Sequence, residues 1–111
     1  MQCIFCRIAN HKLPAETIFE DDKILAILDI APKAKFHILI IPKKHSSSVD
    51  NESSDELLRD VFRAARVIAR KLKIEKSGYK IITNVGPHGG QTVSHLHFHL
   101  LGGEPLIHSL A

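Results

Sequence analysis

The seven residues His95-Leu96-His97-Phe98-His99-Leu100-Leu101 alternate polar and apolar side chains with a period of two. That period belongs to an extended strand, where successive side chains point to opposite faces. It places three imidazoles on one face and Leu96, Phe98 and Leu100 on the other, which serves as the anchoring side. Same-face neighbours lie about 6.6–6.8 Å apart at Cα, so two rings reach one metal ion or one phosphate group. Three rings packed only as core would each need a buried hydrogen-bond partner, and the histidine face therefore reads as a site. Two readings follow from the residues alone. Either all three histidines build a metal centre, or one attacks an anionic substrate while the others bind and orient it.

The rest of the chain supplies a scaffold for that strand. Ile4 to Ala9 reads as a short helical turn, ended by Lys12-Leu13-Pro14. Thr17 to Glu20 and Ile24 to Ile30 are strand-like segments around Asp21-Asp22-Lys23, a hairpin with an acidic turn, and Pro32 closes the second. His37 to Ile41 is a continuous apolar run stopped by Pro42, which suits a strand buried on both faces. Ser53 with Glu56 three residues on forms a capping box ahead of Leu57, Leu58, Val61, Phe62, Ala65, Ile68, Ala69 and Leu72, which fall at helical spacing over about five turns. After Gly78, Tyr79 to Val85 reads as a further long strand, and Gly86-Pro87-His88-Gly89-Gly90 leads into the histidine strand, His95 to Leu101. Strands before and after one major helix predict an α+β fold: an antiparallel sheet of about five strands with one long and one short helix.

With 111 residues, 44% of them apolar, the chain fits one domain over residues 1–111. A domain this small buries a limited share of its surface, and a second copy against an open sheet edge is the natural supplement, so a homodimer is expected. No apolar run exceeds Ile24 to Leu28, and the first residues carry neither a basic start nor a signal-type core, which predicts no membrane span and a cytoplasmic protein. The net charge of +3 is too small to argue for a nucleic-acid partner but suits anionic small ligands. Arg59, Arg63, Arg66, Arg70 and Lys73 line one helix face, where they could meet phosphates or an acidic partner; the preferred reading is a solvated face opposite the core. Cys3 and Cys6 are too close to form a useful structural loop and more typical of a metal clamp or redox pair. Gly89-Gly90-Gln91-Thr92 before the histidine strand can present backbone N–H groups and a hydroxyl to an anion, or can simply make a turn.

Taken with Gly89-Gly90-Gln91-Thr92, the heptapeptide resembles the histidine-triad nucleotide-binding proteins, in particular their Hint-like phosphoramidase branch. Leu13-Pro14-Ala15, Phe19-Glu20-Asp21-Asp22, Asp29-Ile30, His37, Ile41-Pro42-Lys43-Lys44-His45 and Asn84 stand in the family's order from about Cys3 to Gly103. The resemblance implies a hydrolase of purine nucleoside phosphoramidates, AMP or GMP derivatives, with no catalytic cofactor. In it His97 attacks the α-phosphorus and becomes nucleotidylated, and water then releases the monophosphate. An imidazole with the ordinary pKa near 6.5 suits this chemistry, being a neutral nitrogen nucleophile near neutral pH. His99 and His37 are the phosphate-side partners, and Thr92 stands where the family usually has serine. Asp29 is the implied ribose-binding acid; Ile30, Phe5, Ile8, Leu13 and Leu39 match the base slot; Asn84, Gly90 and Gln91 flank the phosphate. Cys3, Cys6, His45 and His95 match a structural zinc site found in some members, a clamp that would pin the N-terminal segment to the strand carrying His97. The family also implies a homodimer whose sheets join. Residues Glu104 to Ala111 lack the tryptophan-containing tail of some members, which leaves the leaving group open. Alternatives within the same resemblance are a dinucleoside polyphosphate hydrolase and a non-catalytic nucleotide- or zinc-binding interaction protein.

Overall fold

The computed structural model describes residues 3–50 and 55–106. Its elements are α1 (Ile4–Ala9), β1 (Thr17–Glu20), β2 (Ile24–Leu28), β3 (Phe36–Pro42), α2 (Asp55–Lys71), β4 (Tyr79–Ile82) and β5 (Phe98–Gly102). The five strands form one sheet in the order β1-β2-β3-β5-β4, with every neighbouring pair antiparallel. This is the expected α+β arrangement, with one long and one short helix. No described helix is long and apolar enough to cross a membrane.

Each element has a local cause. The Asp21 carboxylate accepts the N–H groups of Lys23 at 2.8 Å and Ile24 at 2.7 Å, closing the β1–β2 turn. β3 is central and buried on both faces, as its unbroken apolar run predicts. Ile38 and Ile40 face α2, where Val61, Ala65 and Ile68 complete the larger core cluster with Leu96, Phe98 and Leu100. On the other face Leu39 and Ile41 join Leu25 and Ile27 beneath Phe5 and Ala9 of α1. The sheet is thus covered by α2 on one side and partly by α1 on the other. Arg59, Arg63, Arg66, Arg70 and Lys73 are all exposed, as a solvated helix face requires. α2 ends in a Schellman motif, with Lys73 N–H on the Arg70 carbonyl, Ile74 N–H on the Ala69 carbonyl and Lys73 at φ 60°. The capping box at Ser53 lies outside the described residues.

Three strand ends differ from expectation, each because a side chain takes over from the ladder. β2 stops at Leu28 and not Ile30: Asp29 Oδ1 accepts the Ala31 N–H at 2.8 Å, and this Asx turn carries Ile30 fully into solvent. β4 stops at Ile82 and not Val85, because the Thr83 hydroxyl donates to the His97 carbonyl at 2.9 Å and the Asn84 amide to the Gly89 carbonyl at 2.7 Å. β5 begins at Phe98 and not His95. His95 and Leu96 are drawn toward the end of β3, His95 to the Pro42 carbonyl and Leu96 N–H to the Ser46 carbonyl. The alternation of faces nevertheless continues through residues 96 to 100, since Leu96, Phe98 and Leu100 all enter the α2-side core.

Candidate active site

Main-chain partners determine which nitrogen of each histidine carries its proton. Lys33 N–H donates to His37 Nδ1 at 3.0 Å, so neutral His37 is protonated on Nε2. His37 Nε2 lies 2.9 Å from His99 Nδ1 and 3.4 Å from Asp29 Oδ2, which makes His99 Nδ1 an acceptor and places the His99 proton on Nε2. On His97 the order is reversed. Its Nδ1 lies 2.7 Å from the His95 carbonyl, an oxygen that can only accept, so Nδ1 holds the proton and Nε2 keeps its lone pair. The rings of His97 and His99 are 5.3 Å apart. Two neighbouring rings therefore carry opposite tautomers, one with an unprotonated Nε2 and one with an Nε2–H, a pairing that suits a nucleophile and a donor to developing negative charge.

His95 leaves this group. Its Nε2–H donates to the Pro42 carbonyl at 2.8 Å, and its Nδ1 turns to Cys3, Cys6 and His45. A metal centre built from the three alternating histidines is thus replaced by a division of labour. Cys3 Sγ lies 3.6 Å from His45 Nδ1 and 3.2 Å from His95 Nδ1; Cys6 Sγ lies 3.3 and 3.5 Å from the same atoms, and the two Nδ1 atoms are 3.2 Å apart. A tetrahedral ion with Zn–S near 2.3 Å and Zn–N near 2.0–2.1 Å separates S from N by about 3.5 Å and N from N by about 3.3 Å. The four groups fit such an ion, and the Pro42 carbonyl fixes the His95 tautomer that leaves Nδ1 free to ligate. Asp29, His37 and His99 also converge. They do not suit a metal, because the Lys33 N–H on His37 Nδ1 keeps a proton on His37 Nε2, the atom that would have to bind it.

The glycine-rich loop turns out to be closed on itself. Gly89 N–H and Gln91 N–H donate to the Gly86 carbonyl, and Gly90 N–H to the Pro87 carbonyl. The turn reading of this loop is correct for those three N–H groups, which do not face an open anion nest. A Cβ on Gly89 would lie 2.2 Å from the Val85 carbonyl oxygen, and Gly90 has φ +81°, so both glycines serve the turn itself. Thr92 follows, exposed, with neither its N–H nor its hydroxyl hydrogen-bonded among the described residues. Asn84 is tied to the loop through Gly89.

Beside the histidines, a cavity of about 400 Å³ is lined by Ile4, Ile8, Leu13, Ile27, Asp29 and Ile30, among others. Asp29 and Glu16 bring carboxylates to the wall of a mostly apolar pocket, and of the two Asp29 is the one that also reaches His37. Of the expected base-slot residues, Ile8, Leu13 and Ile30 line this cavity. Leu39 is buried in the α1-side core, and Phe5 packs its ring 4.9 Å from His97 and 5.9 Å from His95. Ile4 and Ile27 were not anticipated. Ile4 stands one helical turn before Ile8 and Ile27 two residues before Asp29 on β2, spacings that place each beside an anticipated residue.

Burial holds His37 and His99 below the ordinary imidazole value of 6.5; neighbouring His97 and His37 add to the effect on His99, and Asp29 opposes it for both. Burial lowers His95 as well, against the Pro42 hydrogen bond. Because the unfolded chain takes up these protons first, the neutral-imidazole contribution is fully present above pH 6.5 and lost as pH falls through the lower folded values. The urea midpoint should be level above about pH 7 and fall below about pH 6.5, less steeply in His37→Gln. A midpoint that rises on acidification would contradict this account. Cys6 moves the other way, its thiol pushed up by burial and by Cys3.

A model of the family described as HIT domain matches residues 10–106. The chain is 40% identical over 99 residues to an uncharacterized HIT-like protein of Methanocaldococcus jannaschii, covering 89% of this chain and 77% of that protein. It is 39% identical over 107 residues to the purine nucleoside phosphoramidase of Escherichia coli, covering 95% and 90%. A HIT family hydrolase from Clostridium thermocellum superposes with a TM-score of 0.92 at 45% identity, covering 99% of this chain and 97% of that one.

Proposed function

The chain belongs to the HIT domain family, and from that membership and its histidine geometry we propose that it is a hydrolase of purine nucleoside phosphoramidates. The observation that carries the proposal is the tautomer pattern, which leaves Nε2 unprotonated on His97 and protonated on His99, in rings whose centroids are 5.3 Å apart. A 39%-identical relative named purine nucleoside phosphoramidase supports the choice of a P–N bond.

His97 Nε2 attacks the α-phosphorus; the bond from phosphorus to the leaving nitrogen breaks, and that nitrogen takes up a proton from solvent water and departs as the amine. The nucleotidylated ring is an imidazolium, and its Nδ1–H points at the His95 carbonyl, which stabilises the positive charge. His99 Nε2–H and the Thr92 hydroxyl and N–H face the phosphoryl oxygens, where negative charge builds up. Water then attacks phosphorus, breaks the P–Nε2 bond, releases the monophosphate and returns His97 to its neutral form. Asp29 accepts the ribose hydroxyls, and Ile8, Leu13 and Ile30 hold the base. Asn84, Gly90 and Gln91 border the phosphate. A zinc ion on Cys3, Cys6, His45 and His95 supplies a structural clamp when bound and takes no part in the chemistry. The homodimer belongs to the same reading, joined through one of the two sheet edges, β1 or β4.

Purified protein should release AMP and the free amine from adenosine 5′-phosphoramidate. Inactivity there with turnover of a diadenosine polyphosphate would replace this reading by a polyphosphate hydrolase. Inactivity on both, with AMP still bound, would leave a nucleotide-binding protein.

A further inference from the structure

Gln91 hydrogen-bonds with its whole side-chain amide, and every partner is main chain. Its Oε1 accepts the Gly86 N–H at 2.9 Å, and its Nε2 donates to the Ser47 carbonyl at 2.7 Å and the Val93 carbonyl at 2.9 Å. With the Gln91 N–H on the Gly86 carbonyl, the residue closes the glycine loop from both sides and fastens it to the segment after His45. Both Nε2 donors being occupied by carbonyls, the amide has no donor left for a phosphoryl oxygen. What it does hold is Thr92, which sits between Gln91 and Val93 and makes no hydrogen bond of its own among the described residues.

Resting on the function proposed above, we infer that Gln91 is a positioning residue that acts on the phosphoryl group only through Thr92. The amide fixes the backbone on both sides of Thr92 relative to the β3–α2 connection, so that the Thr92 hydroxyl and N–H are aimed before substrate arrives. Preorganised donors cost no rearrangement in the transition state, whereas a donor displaced by about 1 Å can cost a hundredfold.

Two substitutions separate this role from general structure. Gln91→Glu keeps an acceptor for Gly86 but sets a carboxylate against the Ser47 and Val93 carbonyls. Gln91→Met keeps length and neutrality and loses all three bonds. With adenosine 5′-phosphoramidate as substrate, kcat should fall about 10- to 100-fold in both. By titration calorimetry AMP should bind about tenfold more weakly, while adenosine, which has no phosphate, should stay within about twofold of wild type. In a Thr92→Ala background the same changes should cost less than in the wild type, because the hydroxyl they position is gone and only the residue 92 N–H is left to be displaced. Changes below twofold in kcat and AMP affinity, equal losses for adenosine and AMP, or an undiminished effect beside Thr92→Ala would each overturn the inference. If circular dichroism shows both variants unfolded, Gln91 is a fold determinant and the inference is overturned as well. A wild-type protein that neither hydrolyses the phosphoramidate nor binds AMP would instead remove the function on which the inference rests.

Discussion

Replacing His97 with alanine should lower turnover of adenosine 5′-phosphoramidate by about 10⁴-fold or more while leaving AMP bound. The size follows from the role. In the proposed reaction, loss of His99, His37 or Thr92 weakens stabilisation of the transition state, whereas loss of His97 removes the atom that forms the bond to phosphorus. Binding should survive because the proposed ribose and base contacts are to Asp29, Ile8, Leu13 and Ile30, which line a cavity of which His97 is not a wall. His97→Gly sharpens the test, since free imidazole added to the vacated space should restore part of the rate if a ring nitrogen is the nucleophile. Wild-type protein quenched during turnover should carry a nucleotidyl group on His97, located by peptide mass spectrometry. A His97→Ala protein that keeps more than about a tenth of wild-type kcat would exclude covalent catalysis through this residue.

The parts of the site legible in the sequence are those governed by local periodicity. Alternation along residues 96 to 100 sorts Leu96, Phe98 and Leu100 into the α2-side core and leaves His97 and His99 on the opposite face. The helical repeat of α2 likewise selects the face that carries Val61, Ala65 and Ile68. What periodicity misses is set by partners far along the chain. The proton positions depend on the Lys33 N–H and the His95 carbonyl, main-chain groups present in any sequence, so nothing in their residue types marks them. His95 departs from its two neighbours because Cys3 and Cys6, some 90 residues earlier, converge on its Nδ1. Spacing alone allowed Cys3 and Cys6 to be a clamp or a redox pair, and only the family resemblance joined them to His45 and His95. Strand ends differ from expectation at Asp29, Thr83 and Asn84 for a related reason. Those residues have polar side chains able to substitute for ladder hydrogen bonds, and whether they do so depends on a carbonyl or N–H that the fold brings near.

The second large effect concerns the clamp. Protein purified without a histidine tag should carry about one zinc ion per chain, the stoichiometry of a single closed Cys₂His₂ site. Its removal should be felt at the nucleotide site. α1 is a helix of six residues, too short to persist without tertiary support, and Cys3 and Cys6 bracket its first turn. The same turn carries Phe5 between the rings of His95 and His97, and Ile4 and Ile8 on the wall of the cavity. An ion bound at a hundred times its dissociation constant stabilises the fold by about 3 kcal/mol, which for a domain of this size is about 10 °C in Tm. Chelation, or Cys6→Ser, should therefore lower Tm by about that amount and weaken AMP binding by about tenfold, since α1 no longer holds one side of the pocket. Linkage requires the reciprocal result: saturating AMP should tighten zinc binding by the same factor. Metal-free protein with unchanged Tm and unchanged AMP affinity would show that Phe5 and Ala9 hold α1 by burial alone, and that the four ligands are a packed cluster with no metal to bind.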